Sequence, residues 1–270
     1  MNKTLINLKK EFDNSINKVV INESLIKSFI KNITDLIMFD YLSNSSLDKD
    51  LESLYYISKN KLEKILIDLK IKNIEFIINK FYYSIPLIRK TLNTSIEALF
   101  NGDPASNSKS EIVLTYPGFK AILLYRIAHE FYLLDIKLLA RYISEYSHKI
   151  TGIDINPGCI IGDYFFIDHG TGIVIGETCI IGNNVKLYQG VTLGALSLSK
   201  GKALKNKKRH PTIEDNVTIY SNACIYGGDT IIKRNSVIGG DVYLTHSIEE
   251  NSIVLQTDKN LTIITKNNKN

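Results

Sequence analysis

The sequence predicts an α+β chain, helical in its first part and wound into a parallel β-helix of hexapeptide repeats in its second. Three observations carry this. Of 16 glycines, only Gly102 and Gly118 precede residue 152, and the rest lie between Gly152 and Gly240. A shift that sharp marks a change of architecture. Apolar residues in the first part recur at spacings of three and four, whereas in the second they recur at six.

The helices come first. Leu25, Ile26, Phe29, Ile30, Ile33, Leu36 and Ile37 form one apolar stripe, and Leu62, Ile65, Leu66 and Leu69 another. A third helix is expected from about Phe119 to Leu134, after the Pro117-Gly118 break. A fourth is expected from about Ile136 to Lys149, stopping at Gly152. The polar stretch Ser43–Asp50 reads as a loop. The repeats follow. Ile155, Ile161 and Ile167 are spaced by six; after a two-residue shift Ile175, Ile181, Leu187 and Leu193 continue. After a polar insertion come Ile213, Ile219 and Ile225, and after a one-residue shift Ile232, Ile238 and Leu244. Each hexad supplies one short strand and one turn, its aliphatic side chain inward, and coils of three hexads stack into a continuous core. Cys159 and Cys179 should then stack inside as small apolar side chains. The expected domains are a helical region over 1–151, the β-helix over 152–250 and a tail over 251–270.

Composition excludes several classes. The apolar content is that of a chain able to bury a core. The net charge of +5 is too weak to argue for nucleic acid. The insertion Ser197–His210 carries Lys200, Lys202, Lys205, Lys207, Lys208 and Arg209, but no aromatic side chains interleave, so it reads as a solvated loop or an anion-binding loop. No window is long and apolar enough for a membrane span, and the start MNKTLINLKK lacks a signal-peptide core, so a cytoplasmic protein is expected. Cys159, Cys179 and Cys224 form no CxxC pair, which suits reduced thiols. The histidines form no HxxH or HxxxH pair, so no metal site is expected. His129 reads as a packed helix residue, and His148 as a cation near a helix C-terminus. The abundance of Ile, Asn and Lys reads as compositional bias.

Over roughly residues 100–250 the chain resembles bacterial serine O-acetyltransferases. The residues that carry the resemblance are Asp103-Pro104-Ala105, YPGFKAILLYRIAH (Tyr116–His129), Asp154-Ile155-Asn156-Pro157, FFIDHGTGIVIGET (Phe165–Thr178), YQGVTLGA (Tyr188–Ala195), KRHPTI (Lys208–Ile213) and GGDTIIKRNSVIGGDVYLT (Gly227–Thr245). The resemblance implies a helical N-terminal domain followed by a left-handed parallel β-helix. It implies acetyl transfer from acetyl-CoA, a co-substrate rather than a bound cofactor, to the L-serine hydroxyl for cysteine synthesis. It implies homotrimers, commonly paired into hexamers, with each site in a cleft between neighbouring β-helices. The family's catalytic histidine matches His169 and its supporting aspartate Asp154; its serine-binding groups match Asp103, Asp168, Arg209 and His210. Backbone groups near Thr192 and Gly194 would hold the pantetheine arm. The sequence departs from the family at Asn156, usually histidine, and at Ala195, often glycine. The end TKNNKN lacks the isoleucine that many members insert into O-acetylserine sulfhydrylase, so no stable complex with that enzyme is expected.

The residue types suit this chemistry. An alcohol attacking a thioester must lose a proton, and a histidine with a pKa near 6.5 can take it. A carboxylate on the second ring nitrogen would fix the tautomer. Arg209 offers planar recognition of a carboxylate, and Asp103 and Asp168 could accept from an ammonium. His210 could bind the carboxylate or the hydroxyl. A cysteine nucleophile would have to be exposed with a lowered pKa, whereas Cys159 and Cys179 are expected inside the coil, so direct transfer in a ternary complex is expected. The alternatives are a hexapeptide acetyltransferase with another small hydroxyl or amino acceptor, and a catalytically silent scaffold.

Overall fold

The computed structural model describes residues 2–13, 22–42, 47–197, 199 and 201–257. Among the described residues eight helices come first: α1 (Lys3–Asp13), α2 (Glu23–Ile37), α3 (Phe39–Leu42), α4 (Leu47–Asp68), α5 (Ile74–Gly102), α6 (Lys109–Thr115), α7 (Pro117–Leu133) and α8 (Lys137–Thr151). The expected stripes lie on α2 and α4, where Phe29, Ile30, Ile33, Leu62, Ile65 and Leu66 are buried. Asn22 caps α2 by accepting from the Leu25 amide. α8 ends at Gly152, whose φ of 72° gives the left-handed terminator expected of it. The loop expected over Ser43–Asp50 is corrected in part: α4 already begins at Leu47, while residues 43–46 lie outside the described residues. That helix runs on through Leu51, Glu52 and Ser53, which are all exposed. By compactness the chain divides into residues 1–85 and 86–270. The division falls inside α5, at Pro86, which has no amide hydrogen for the Tyr82 carbonyl.

Among the described residues fourteen short strands follow: β1 (Asp154–Ile155), β2 (Ile160–Ile161), β3 (Phe166–Ile167), β4 (Val174–Ile175), β5 (Ile180–Ile181), β6 (Lys186–Leu187), β7 (Thr192–Gly194), β8 (Thr212–Ile213), β9 (Thr218–Ile219), β10 (Cys224–Tyr226), β11 (Ile231–Ile232), β12 (Val237–Ile238), β13 (Tyr243–Leu244) and β14 (Ile253–Val254). They pair in parallel into three sheets, β1-β4-β7-β10-β13, β2-β5-β8-β11 and β3-β6-β9-β12-β14. The chain visits the three faces in turn, the winding of the left-handed β-helix. All the aliphatic residues of the six-residue pattern, from Ile155 to Leu244, are buried, none more than 5% exposed. Register stacks them directly, Ile155 on Ile175 and Ile175 on Leu193. Cys159 and Cys179 lie inside as expected, in adjacent coils where the Ile160 amide donates to the Cys179 carbonyl at 3.0 Å; burial pushes both thiols up.

Two devices hold the solenoid together beyond the sequence pattern. Strand amides of each coil donate toward the next coil, and the first-coil carbonyls of Pro157, Cys159 and Ile161 have no preceding coil to meet. Helix α7 supplies their donors. The Tyr125 hydroxyl donates to the Cys159 carbonyl at 2.7 Å and Arg126 Nη1 to that of Ile161 at 2.6 Å, while His129 Nδ1 lies 2.7 Å from the Pro157 carbonyl oxygen. His129 is thus a packed helix residue, as expected. The second device is a ladder of asparagines at one corner. Asn184, Asn216, Asn235 and Asn251 all take φ of 56–60°, and each side-chain amide donates to the next carbonyl at 3.0–3.1 Å. Asparagine tolerates this conformation better than other non-glycine residues. These asparagines have a structural cause that compositional bias does not supply.

Candidate active site

The corner where the third face turns into the first carries the expected base. Between Ile167 and Val174 this turn is two residues longer than the same corner of the next coil, between Leu187 and Thr192. The extra length is taken up by His169 at φ 54° and by Gly170 and Gly172 at φ 83°. His169 stands out with its side chain 72% exposed, and its Nε2 lies 3.7 Å from the Asp168 carboxylate. Asp154 begins β1 on the coil below this turn, beside Gly152, whose carbonyl accepts from Gly172 at 2.8 Å. Its carboxylate holds no hydrogen bond to His169 and no ionic partner among the described residues.

Two helix ends are brought to the same corner by close packing. Gly102, the last residue of α5, lies under the Phe166 ring, and Gly118, in the first turn of α7, against the Ile167 carbonyl. A Cβ there would lie 2.7 Å from the ring or 2.3 Å from the carbonyl oxygen, so only glycine fits. Asp103 and Tyr116 follow from this. The Tyr116 hydroxyl donates to Asp103 Oδ2 at 2.5 Å, and the Ala105 amide donates to Oδ1 at 2.8 Å. These two bonds, with the field of His169, hold the Asp103 carboxyl below the usual range, and the same carboxylate pushes the Tyr116 phenol up to about 12. On the next coil Tyr188 stacks on Tyr220 at 5.0 Å. Its phenol is pushed up by burial, then by Tyr220, Asp168 and Asp103.

Arg209 and His210 are at another corner, where the first face turns into the second. Arg209 is paired with Glu177, which also accepts from the Tyr132 hydroxyl at 3.0 Å. His210 is 8% exposed and occupies the space over Gly176, where a Cβ would lie 2.0 Å from the ring. Its Nδ1 accepts from the Thr178 amide at 3.1 Å, which puts the proton of the neutral ring on Nε2. Burial, and then the charges of Arg209 and Lys208, push its pKa down to about 4. Lys208 is not a free cation for an anionic ligand, because its Nζ bonds the carbonyls of Thr178, His210 and Pro211. Of the site residues predicted from sequence, then, the fold gathers Asp103, Asp154, Asp168 and His169 at one corner and Arg209 and His210 at another.

No family model matches the chain. It is similar to the plasmid serine acetyltransferase of Synechococcus elongatus, 50% identical over 179 residues that span 65% of this chain and 56% of that protein. The chain thus spans little more than half the length of that relative. The serine acetyltransferase of Bacillus subtilis is 46% identical over 166 residues, 62% of this chain and 73% of the relative. Among solved structures, serine acetyltransferase isoform 3 of Entamoeba histolytica, in complex with cysteine, superposes with a TM-score of 0.78 at 32% identity, over 98% of this chain and 94% of that one. The chain belongs to the serine acetyltransferase family.

Two residues expected near acetyl-CoA in a serine acetyltransferase, Thr192 and Gly194, form β7 on the first face. The Thr192 amide donates to the Ala223 carbonyl, and Gly194 leaves room for the Tyr226 ring, which a Cβ would meet at 2.5 Å. Just beyond β7 opens a groove of about 440 Å³ lined by Leu196, Ser197, Arg209, Gly228 and Thr230 among others. Sequence reasoning missed Tyr116 and Glu177 as site residues. Both lie inside the motifs of the resemblance, YPGFKA and GET, but their partners, Asp103 and Arg209, are reached only through the fold. Among the described residues no cluster of His, Cys, Asp and Glu could hold a metal ion.

Proposed function

We propose that the chain transfers the acetyl group of acetyl-CoA to the hydroxyl of L-serine, giving O-acetylserine for cysteine synthesis. The observation that carries this reading is the exposed His169 beside Asp168, in a turn that also gathers Asp103. In the reaction, His169 takes the hydroxyl proton as the serine oxygen bonds to the thioester carbon. The carbon–sulfur bond then breaks, and the proton passes to the departing thiolate. Asp154 supports the imidazolium that forms. Asp103 and Asp168 receive the α-ammonium and Arg209 the α-carboxylate, with His210 beside it. The pantetheine arm follows β7 along Thr192 and Gly194 into the groove beyond it.

The separation of His169 from Arg209 and His210 by one face of the coil supports a site shared between copies. One copy would bring the His169 corner to the Arg209 corner of its neighbour, as in a homotrimer; pairing of helical regions would give a hexamer. We further propose a helical region over 1–151, a β-helix domain from 152 that β14 carries past 250 to Val254, and cytoplasmic residence. Among the described residues no helix is long and apolar enough to cross a membrane.

The test is thiol release from acetyl-CoA with L-serine, L-homoserine or no acceptor. Serine-dependent release should fall by about 10²–10⁴ in His169→Ala. A loss under threefold removes His169 from the role of base, and release with homoserine but not serine replaces the acceptor.

A further inference from the structure

We propose that Tyr116 is a positioning residue for the amino-acid acceptor, its hydroxyl locking the Asp103 carboxylate in the orientation that receives the α-ammonium. This rests on the reading of Asp103 given above. An ionised carboxylate has about four acceptor sites. The Tyr116 hydroxyl takes one on Oδ2 at 2.5 Å and the Ala105 amide one on Oδ1 at 2.8 Å. Held at both oxygens, the carboxylate plane cannot rotate, and each oxygen keeps a free acceptor site. With its own proton committed to Asp103, Tyr116 acts through that carboxylate.

The fold fixes both members of the pair against the strand that leads into Asp168 and His169. Gly102, the neighbour of Asp103, packs under Phe166, and Gly118, two residues after Tyr116, packs against Ile167. Tyr116 is further held as the last residue before Pro117, where proline restricts its backbone to the extended region, at φ −76° and ψ 118°. Its amide bonds the Ile112 carbonyl and its carbonyl the Lys120 amide. A tyrosine so constrained presents its hydroxyl in one direction, and beyond Asp103 the carboxylates of Glu111 and then Asp168 add to its field. The result is an anionic pocket edge, preorganised for a small cation beside the base.

The experiment is steady-state thiol release with serine and acetyl-CoA varied separately, for wild type, Tyr116→Phe, Asp103→Asn and the double variant. Tyr116→Phe should raise the serine KM about tenfold, the size of a lost bond to a charged group. The acetyl-CoA KM and the kcat should stay within twofold. In the Asp103→Asn background the phenylalanine should add less than twofold, because its route of action is already gone. A serine KM within twofold of wild type in Tyr116→Phe, an acetyl-CoA KM that rises in parallel, or additive effects in the double variant would each overturn the proposal. An unchanged serine KM in Asp103→Asn would overturn the reading of Asp103 itself, whatever Tyr116 does.

Discussion

Lowering the pH from 7 to 5 is expected to cost the fold about 2 kcal/mol through His210 alone. The ring is 8% exposed, so its shift needs little discount for solvent screening. Folding lowers its pKa from 6.5 to about 4, burial being the first cause. Below pH 6.5 the unfolded chain therefore takes up a proton that the folded chain refuses. The stabilisation is complete above the unfolded value and is lost as the pH falls toward the folded one. At about 1.4 kcal/mol per unit, with both titrations partial, the loss between pH 7 and pH 5 is about 2 kcal/mol. The geometry gives the same sign, since a proton on Nδ1 would face the Thr178 amide that this nitrogen now accepts from. The assay is urea denaturation at fixed protein concentration at the two pH values, for wild type and His210→Asn. The amide oxygen of asparagine can keep the bond to Thr178 without titrating. Other groups cancel in the difference, so wild type should lose about 2 kcal/mol more than the variant. A difference below about 0.5 kcal/mol would refute the assignment of a buried, neutral His210.

Two further outcomes are expected. Arg209 first, and then the Tyr132 hydroxyl, hold the Glu177 carboxyl below its ordinary value, opposed by partial burial. Its contribution to stability is therefore present above the ordinary carboxylate range and fades as the pH falls through the depressed value; Glu177→Gln should be less stable than wild type at pH 7 and should converge with it in strong acid, read by the same urea titrations. Inactive His169→Ala and Arg209→Ala chains, unfolded and refolded together, should recover activity at roughly one quarter of sites by random assortment if each site joins two copies; no recovery from mixed oligomers would confine the site to one chain.

How much was legible depended on the range of the cause. The β-helix was readable because each hexad solves the same local problem, and the residues from Ile155 to Leu244 that answer it are buried without exception. The short helices at the join were readable from Pro117 and Gly152, whose backbone preferences act on their own positions. Helix α5 was not, although Phe81, Ile88, Leu92, Ile96 and Leu99 line its buried side, because Pro86 interrupts the pattern where a helix would ordinarily stop. At the site, His169 and Asp168 are chain neighbours and could be read together. The pairs Tyr116–Asp103 and Glu177–Arg209 join residues from separate segments, so only the winding of the chain puts them within reach.

Most of the proposed site residues lie where the repeat fails, Asp154, Thr192 and Gly194 excepted, and the reason is physical. Within a regular coil the backbone amides and carbonyls are spent on the neighbouring coils, and each hexad commits its aliphatic side chain to the core. Such a surface has little freedom to present a reactive group at a chosen angle. The breaks restore that freedom. Two extra residues between Ile167 and Val174 let His169 leave the wall at a positive φ. The insertion before Pro211 lets Lys208, Arg209 and His210 fold back over Gly176 and Thr178, so that a charged side chain and a neutral ring are held side by side. The helices contribute the third break, since Asp103 lies between α5 and α6 and is pinned to the coil through glycine contacts. A stiff solenoid with three local departures thus yields side chains that are fixed in place without being buried in the ladder, which is what preorganisation of a site demands.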